Sequence, residues 1–173
     1  RREVHLKFDT GMRRVGAQPS AARQLITHVR SLPALRIGGV FTHLACADEP
    51  VAASNAAQLA EFESVLALLG ELGVDRSGRD RPAVHAANSA GALAVPESRY
   101  DLVRAGIAIY GISPGRGVDE LAATLRPVLS LRARVSHVKR VSAGDGENRP
   151  ANFGYFRMQI RTHLEKKNFF DRT

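Results

Sequence analysis

The chain has 173 residues, of which 44% are hydrophobic, and its 25 Lys and Arg against 17 Asp and Glu give a net charge of +8. This length and composition are typical of a globular protein with a buried core, and no apolar stretch is long enough to cross a membrane. The basic residues are scattered and aromatic residues make up only 6%, so we expect a solvated basic surface and no nucleic-acid partner.

Strands and helices are predicted to alternate through residue 111. The first segment, residues 4–8, has the period-2 pattern of a strand and ends at Asp9-Thr10-Gly11. The alternation predicts an α/β fold with parallel strands joined by right-handed crossovers. The predicted elements are, in order, a strand at 3–8, a helix carrying Leu25, Val29 and Leu32 and ended by Pro33, a strand at 37–44, a helix carrying 59–72, a strand at 83–88, a short helix from Ser89 and a strand and turn at 102–111.

The pattern changes at Leu125. From residue 129 to 135 apolar and polar residues alternate, which is typical of a half-buried antiparallel strand. The apolar phase slips by one residue between Val135 and Val138, which predicts a β-bulge. We therefore divide the chain into an α/β domain at 1–124, the start of an all-β domain at 125–146, and a divergent basic tail at 147–173 that we expect to be unrelated or disordered.

Four segments, in the same order, resemble the alanine racemase family. They are VHLKFDTGMRRVG at 4–16, GVFTHLACADE at 39–49, the stretch 85–111 with Ala87-Asn88-Ser89-Ala90 and Val103-Arg104-Ala105-Gly106-Ile107, and residues 125–146. The resemblance implies a (β/α)8 TIM-type barrel that binds pyridoxal 5'-phosphate (PLP), followed by a β domain. It also implies racemisation of L-alanine to D-alanine for the cell wall, in a homodimer. On this resemblance, the chain carries the second half of the barrel and the first strand of the β domain.

The resemblance assigns catalytic roles to Lys7, Arg14 and His43. Lys7 matches a lysine that becomes carbamylated and orients Arg14, since an anionic carbamate turns repulsion between two cations into a charge-assisted hydrogen bond. Arg14 matches the arginine near the substrate carboxylate and the phenolic oxygen of the cofactor. His43 matches a histidine that contacts the catalytic tyrosine and the arginine facing the pyridine ring. From pattern alone, an ordinary exposed lysine and a core histidine are the alternatives.

The resemblance also implies a cofactor site. Arg104 matches the arginine that faces the pyridine nitrogen, where a fixed cation disfavours ring protonation and makes the cofactor a weaker electron sink. Ser89, Gly106 and Ile107 match the phosphate-binding residues, with Asn88 beside them, and backbone amides around a glycine suit a dianion. We assign structural roles to the remaining histidines and propose no metal, because no two of them have metal-ligand spacing. These histidines are His5, His28, His85, His137 and His163.

Two residues that the family requires have no match in this chain. The lysine that anchors the cofactor lies in a segment like Ala-x-x-Lys-Ala-x-Ala-Tyr-Gly. The catalytic tyrosine belongs to a Val-Ser-Tyr-Gly segment after Ala-Gly-x-Gly, but here Ala143-Gly144-Asp145-Gly146 is followed by Glu147. We therefore expect this polypeptide alone to be inactive. The alternatives are a non-catalytic half-barrel that binds PLP or other anions, and part of a serine or broad-specificity racemase.

The start of the chain and its single cysteine bear on its cellular context. The sequence begins at Arg1 without Met and almost directly with a strand, as a piece of a longer protein would, and it shows no signal-peptide pattern. Cys46 can form no internal disulfide, which suits a reducing cytoplasm. We therefore expect a cytoplasmic protein.

Overall fold

A computed structural model describes residues 1–78, 80–140 and 156–166. Contacts between Cα atoms divide the chain into two units, Arg1–Arg126 and Pro127–Thr173. The first unit contains strands β1 (Arg2–Lys7), β2 (Leu35–Phe41) and β3 (Ala83–His85) and helices α1 (Ala22–Ser31), α2 (Ala53–Glu71), α3 (Ser89–Ala94) and α4 (Asp119–Ala122). Short 3-10 turns occur at Pro19–Ala21, Pro96–Ser98, Ile107–Tyr110 and Arg116–Val118. Among the described helices, none combines the length and the hydropathy of a membrane span.

The three strands of the first unit form one sheet in the order β1-β2-β3, and both pairs are parallel. The predicted parallel arrangement is therefore confirmed. In the register, His5 lies opposite Gly39, and Phe41 lies opposite both Lys7 and His85. Because all three strands run the same way, their carboxyl ends meet at one edge of the sheet, where parallel α/β proteins place their ligands.

Helices α1 and α2 cover one face of this sheet. Leu6, Val40 and Val84 point to that face and are buried against Ile26 of α1 and Phe62 of α2. Successive side chains of a strand point to opposite faces. The other face of the sheet consequently carries the residues between them, including His5, Lys7, Gly39, Phe41 and His85. This alternation puts polar and aromatic side chains together on the face away from the helices.

Of the strand and turn predicted at residues 102–111, the strand is wrong and the turn is present. Residues 102–106 form no regular element, and Ile107–Tyr110 is a 3-10 turn. Two separated backbone bonds join this region to β3 and the residues after it: Asp101 N donates to Val84 O and Arg104 N donates to Ala87 O, each over 3.0 Å. Residues 107–110 form a tight turn closed by Gly111 at φ 74°. A turn of this kind cannot make the continuous backbone pairing of a strand.

The second unit contains two strands, β4 (Leu129–Arg140) and β5 (Phe156–Lys166), which pair antiparallel. Their register shifts between Val135 and His137, which confirms the predicted bulge. Strand β5 lies within the predicted divergent tail. In the sequence of β5 apolar and polar residues largely alternate, which is typical of a strand. The rest of that tail, 147–155 and 167–173, lies outside the described residues.

Candidate active site

Residues predicted for the active site converge at the carboxyl edge of the sheet. Lys7 is the last residue of β1, His43 follows β2, and Asn88 follows β3. Arg104 reaches the same edge, where its side chain contacts the backbone of Thr42 beyond β2. Lys7, His43, Asn88 and Arg104 therefore share one edge of the sheet.

The Arg104 guanidinium is held by uncharged acceptors from the ends of β2 and β3. Its Nη2 donates to the carbonyl oxygens of Thr42 at 2.8 Å and Ala86 at 3.1 Å, and to His43 Nδ1 at 3.3 Å. Its Nη1 is 2.5 Å from His85 Nδ1. Because a guanidinium can only donate, both histidines accept on Nδ1 and carry their proton on Nε2. None of the ion pairs found among the described residues involves Arg104.

The same cluster keeps its histidines neutral. Burial and the positive charge of Arg104 lower the pKa of His85 to about 4. Burial, followed by the charges of Arg104, Lys7 and Arg14, also lowers the pKa of His43. Burial disfavours the charged form of an imidazole and a nearby cation disfavours it again. Near neutral pH, Arg104 is thus the cation of this cluster and the two imidazoles are its acceptors.

Two further side chains, His5 and Phe41, complete the cluster around His85, and the sequence pattern assigned neither of them a site role. His5 Nδ1 lies 3.0 Å from His85 Nε2. The Phe41 ring stacks on His85 with centroids 4.7 Å apart and an interplanar angle of 11°, and the Arg104 Cζ lies 5.1 Å from the Phe41 centroid. The sequence contained an indication for His5, because residues two apart on a strand share a face and His5 therefore lies on the same face as Lys7.

Ser89 and the turn after Arg104 form a second polar group at this edge. The buried Ser89 Oγ accepts from Gly106 N at 2.8 Å and from Ala108 N at 3.3 Å. Its hydroxyl hydrogen remains available as a donor. Ile107 begins the 3-10 turn Ile107–Tyr110, and N–H groups at the start of such a turn have no acceptor within it. Donors from two segments are thus brought side by side.

Asn88 has a structural role in this arrangement. Its Oδ1 accepts from Gly91 N at 2.9 Å and caps α3, which is a common role for asparagine. Its Nδ2 is 3.4 Å from Leu44 O, which ties α3 to the end of β2. Asn88 therefore positions Ser89 as the first residue of α3, whatever else it contacts.

Lys7 and Arg14 provide positive charge at the end of β1. Burial, followed by the charge of Arg14, lowers the pKa of Lys7, while Asp9 opposes that shift. Arg14 is exposed in the loop after β1. That loop is closed by Asp9, whose Oδ1 accepts from Gly11 N at 3.1 Å and Arg13 N at 2.9 Å. Its geometry requires a glycine at position 11, which has φ 150°.

Gln58 of α2 fixes the loops that carry the site. It is 3% exposed, its Oε1 accepts from Ala45 N at 2.9 Å, and its Nε2 donates to His43 O at 3.1 Å. The sequence pattern did not single out Gln58. Its position four residues before Phe62, on the buried stripe of α2, was the available signal, since a polar residue there needs partners.

Comparison with known sequences identifies similar proteins. Residues 1–114 match the family described as alanine racemase, N-terminal domain. Two similar curated proteins, both named alanine racemase, come from Symbiobacterium thermophilum and Thermobifida fusca. The first is 46% identical over 142 residues, covering 82% of this chain and 36% of that protein. The second is 42% identical over 155 residues, covering 88% of this chain and 38% of that protein.

Comparison with solved structures gives the same result. The alanine racemase of Streptomyces lavendulae is similar with a TM-score of 0.73 and 34% identity, over 92% of this chain and 42% of that chain. The alanine racemase of Bacillus anthracis, solved with bound L-Ala-P, is similar with a TM-score of 0.72 and 32% identity, over 88% of this chain and 39% of that chain. This chain thus spans well under half the length of the proteins it matches.

Proposed function

This chain belongs to the alanine racemase family, and from that membership we propose that it forms part of a PLP-dependent enzyme that interconverts L- and D-alanine. The proposal gives it the second half of a (β/α)8 barrel, in a cytoplasmic homodimer that supplies D-alanine for the cell wall. The observation that carries the proposal is the Arg104 cluster at the carboxyl edge of the sheet. Because the chain spans 36–38% of the curated relatives, the activity is proposed for a protein that also contains the remaining family segments.

The group around Ser89 fits the phosphate of PLP. The Gly106 and Ala108 N–H groups donate to Ser89 Oγ and hold it beside the start of the turn, where the Ser89 hydroxyl hydrogen and the Ile107 N–H are further donors for an anion. A phosphate dianion accepts several such donors and binds where backbone N–H groups cluster. In this proposal Ser89, Gly106 and Ile107 hold the phosphate, and Asn88 holds Ser89 in place.

Arg104 fits the nitrogen side of the pyridine ring. Four acceptors fix its guanidinium, and a fixed cation in that place would disfavour protonation of the ring nitrogen. When bound, PLP supplies an electron-withdrawing system that makes the Cα proton of alanine easier to remove. The contribution of Arg104 is to limit that withdrawal, which favours return of the proton to Cα over side reactions such as transamination.

Arg14 and Lys7 are proposed to bind and orient the substrate. The planar, donor-only guanidinium of Arg14 matches a carboxylate in shape and charge. The lowered pKa of Lys7 leaves more of its amine neutral than in an ordinary lysine, and only the neutral amine adds to carbon dioxide. The amine and carbon dioxide form a carbamate and release a proton, and the resulting anion attracts Arg14 and fixes its orientation.

His43 is proposed to hold a proton at Nε2. Arg104 donates to its Nδ1, so the tautomer is set and the Nε2–H faces away from Arg104. In the family, this histidine adjoins the tyrosine that moves the Cα proton on one face of the substrate. This chain has no match for that tyrosine or for the cofactor-anchoring lysine. His43 can therefore orient a base but cannot act as both bases.

The missing bases favour a second candidate, a non-catalytic half-barrel that binds PLP or other anions. Both candidates use the same donors around Ser89 and the same cation at Arg104. They differ in whether a complementary chain restores turnover. A serine or broad-specificity racemase uses the same residues, and its substrate is identified by measuring turnover of alanine and serine in parallel.

The cofactor site is tested with pyridoxine 5'-phosphate, which has the ring and phosphate of PLP but no aldehyde that could react with surface lysines. We expect calorimetry to show saturable binding to the full chain. The Ser89→Ala change is expected to weaken it about tenfold or more, since hydrogen bonds to charged groups are worth roughly 1.5–3 kcal/mol. Ser64→Ala, at an exposed site on α2, is the matched control. Equal binding by all three proteins would refute the assignment of Ser89.

The two candidates are separated by mixing this chain with a second polypeptide that contains the family's cofactor-anchoring lysine and catalytic tyrosine. We expect no D-alanine from this chain alone, because loss of an acid–base group costs about a hundredfold or more in rate. The racemase proposal predicts D-alanine from the mixture and its loss with Arg14→Lys. A mixture that binds the cofactor but forms no D-alanine supports the non-catalytic candidate instead.

A further inference from the structure

We propose that His5 is a positioning residue for Arg104. It accepts a hydrogen bond from His85 across the intervening strand β2 and so fixes the ring on which the guanidinium rests. The inference deepens the proposed function, since Arg104 matters to the reaction only if it faces the cofactor ring. The hydrogen-bonded chain itself, His5–His85–Arg104, is a property of the folded polypeptide and can be tested without any cofactor.

The sheet register makes the contact between His5 and His85 unusual. His5 lies on β1 and His85 on β3, and β2 separates them. Neighbouring strands are about 4.8 Å apart, so these two strands are roughly 10 Å apart. Their rings nevertheless approach to 5.2 Å between centroids and 3.0 Å between His5 Nδ1 and His85 Nε2. Both side chains therefore lean over β2 to meet.

Gly39 of β2 provides the space for this contact. It is the residue directly opposite His5 in the register. A Cβ built on Gly39 would overlap the Cε1 and Nδ1 atoms of the His5 ring. Any side chain at position 39 would therefore push His5 away from His85. A buried glycine inside a strand is often a place where another group must approach the backbone closely, and here that group is the imidazole of His5.

Arg104 determines the direction of both hydrogen bonds in the series His5–His85–Arg104. Since the guanidinium has no acceptor, His85 Nδ1 must accept. The neutral His85 then carries its proton on Nε2 and must donate to His5 Nδ1. His85 is only 4% exposed, so its Nε2–H would be costly to leave without an acceptor. His5 supplies that acceptor, and the Phe41 ring stacked on His85 prevents the ring from tilting freely.

The decisive measurement is nuclear magnetic resonance of the full chain with ¹⁵N-labelled histidine near neutral pH. We expect both His5 and His85 to show an unprotonated Nδ1 and a protonated Nε2. We also expect a scalar coupling between His85 Nε2 and His5 Nδ1 through the hydrogen bond. A His85 that carries its proton on Nδ1, or the absence of that coupling in the wild-type chain, overturns the proposal without any variant.

Variants at position 5 test whether His5 acts by accepting. His5→Phe keeps a ring but removes the acceptor, and we expect solvent exchange of the His85 Nε2–H to accelerate about fivefold, the factor that corresponds to one net hydrogen bond. His5→Asn should restore slow exchange, because its Oδ1 stands the same number of bonds from Cα as Nδ1 does. His28→Phe, at an exposed site on α1, should leave the exchange unchanged.

Two glycine variants test the space over β2 without changing any histidine. Gly39→Ala should accelerate the exchange as His5→Phe does. Gly38→Ala should not, since its Cβ meets only the flexible, exposed Glu3 side chain. Exchange in folded His5→Phe and Gly39→Ala that stays as slow as in the wild type would overturn the proposal. Because no cofactor is present, failure here is distinct from failure of the racemase assignment, which the binding and mixing experiments measure.

Discussion

At the scale of single residues, one cation sets the protonation of its surroundings. Arg104 makes His43 and His85 acceptors through their Nδ1 atoms, and the resulting neutral imidazoles leave the guanidinium charge uncompensated among the described side chains. A carboxylate in that place would pair with Arg104 and cancel the charge. The arrangement is therefore suited to presenting a fixed positive charge to a ligand.

The lowered pKa of His85 makes stability depend on pH. In the unfolded chain His85 binds its proton near pH 6.5, and in the folded chain only near pH 4. Between these values the unfolded state holds more protons than the folded state, so a fall in pH favours unfolding. The free energy of unfolding is therefore unaffected by His85 above pH 6.5 and decreases as the pH falls towards 4. We expect a loss of up to about 3 kcal/mol, seen as a falling urea midpoint.

The matched variants for this prediction are His85→Asn and His28→Asn. The first should flatten the dependence of the urea midpoint on pH between 4 and 6.5, although it also lowers stability overall. The second removes an exposed histidine and should leave the slope unchanged. A wild-type midpoint that does not change across this range would show that His85 is not held neutral by its surroundings.

Lys7 is predicted to carry a carbamate. Its pKa is lowered by burial and by Arg14, so the reactive neutral amine is present at lower pH than in an exposed lysine. We expect ¹³C-labelled bicarbonate to produce a carbamate carbonyl signal in the spectrum of the full chain. The signal should vanish in Lys7→Ala and persist in Lys139→Ala. Its persistence in Lys7→Ala would place the modification on another amine.

At the scale of secondary-structure elements, helix α2 connects the core to the site. Its Phe62 and Leu69 are buried against the sheet, while Gln58, on the same stripe, bonds the backbone after β2. The loop after β2 is therefore fixed by the helix as well as by the strand. Packing of α2 and the position of His43 are consequently linked.

Gln58→Ala is predicted to destabilise the fold through this loop. The change leaves Ala45 N–H and His43 C=O without their partner, and an unsatisfied buried polar group costs about 1–3 kcal/mol. We expect a loss of stability of that size in urea unfolding. Gln24→Ala, an exposed site on α1, should change stability by less than about 0.5 kcal/mol. Equal effects of the two variants would show that Gln58 does not hold the loop.

At the scale of the whole molecule, the described sheet has open sides. Strand β1 is an edge of the three-stranded sheet, and edge strands present unpaired backbone groups to other chains. The segment after Arg104 exposes large apolar side chains, among them Ile109 at 63% and Tyr110 at 58%. In a complete barrel the corresponding surfaces would be covered.

We therefore predict that the isolated chain self-associates. Each aliphatic side chain that becomes buried contributes roughly 1.5–3 kcal/mol, which is a large part of a typical stability of about 5–15 kcal/mol. Light scattering should show a mass that rises with concentration, and Ile109→Lys should lower that mass. Val51→Lys, at a 98% exposed position after β2, is the control. A wild-type chain that stays monomeric at micromolar concentration, with a sharp thermal transition, would contradict the prediction.

The sequence alone determined much of this fold because local periodicity reports which face of an element is buried. The alternation of Val4, Leu6 and Phe8 and the stripe of α2 predicted their elements, and the slip after Val135 predicted the bulge. The prediction of a strand within 102–111 is wrong because an apolar run of this length has the same composition in a strand and in an irregular segment. The difference lies in the backbone pairing, which here consists of separated hydrogen bonds and not of a continuous ladder.

The residues of the candidate site divide in the same way. Motifs that resemble the family singled out Lys7, His43 and Arg104. For Lys7 and His43 the strand pattern also predicted a common edge, since parallel strands bring their carboxyl ends together. The sequence could not show that His5 reaches His85, because the two residues lie 80 positions apart and on strands that are not neighbours. That contact requires that Gly39 has no side chain, because a Cβ there would overlap the His5 ring. Only the tertiary structure shows that Gly39 of β2 lies beneath the ring of His5 of β1.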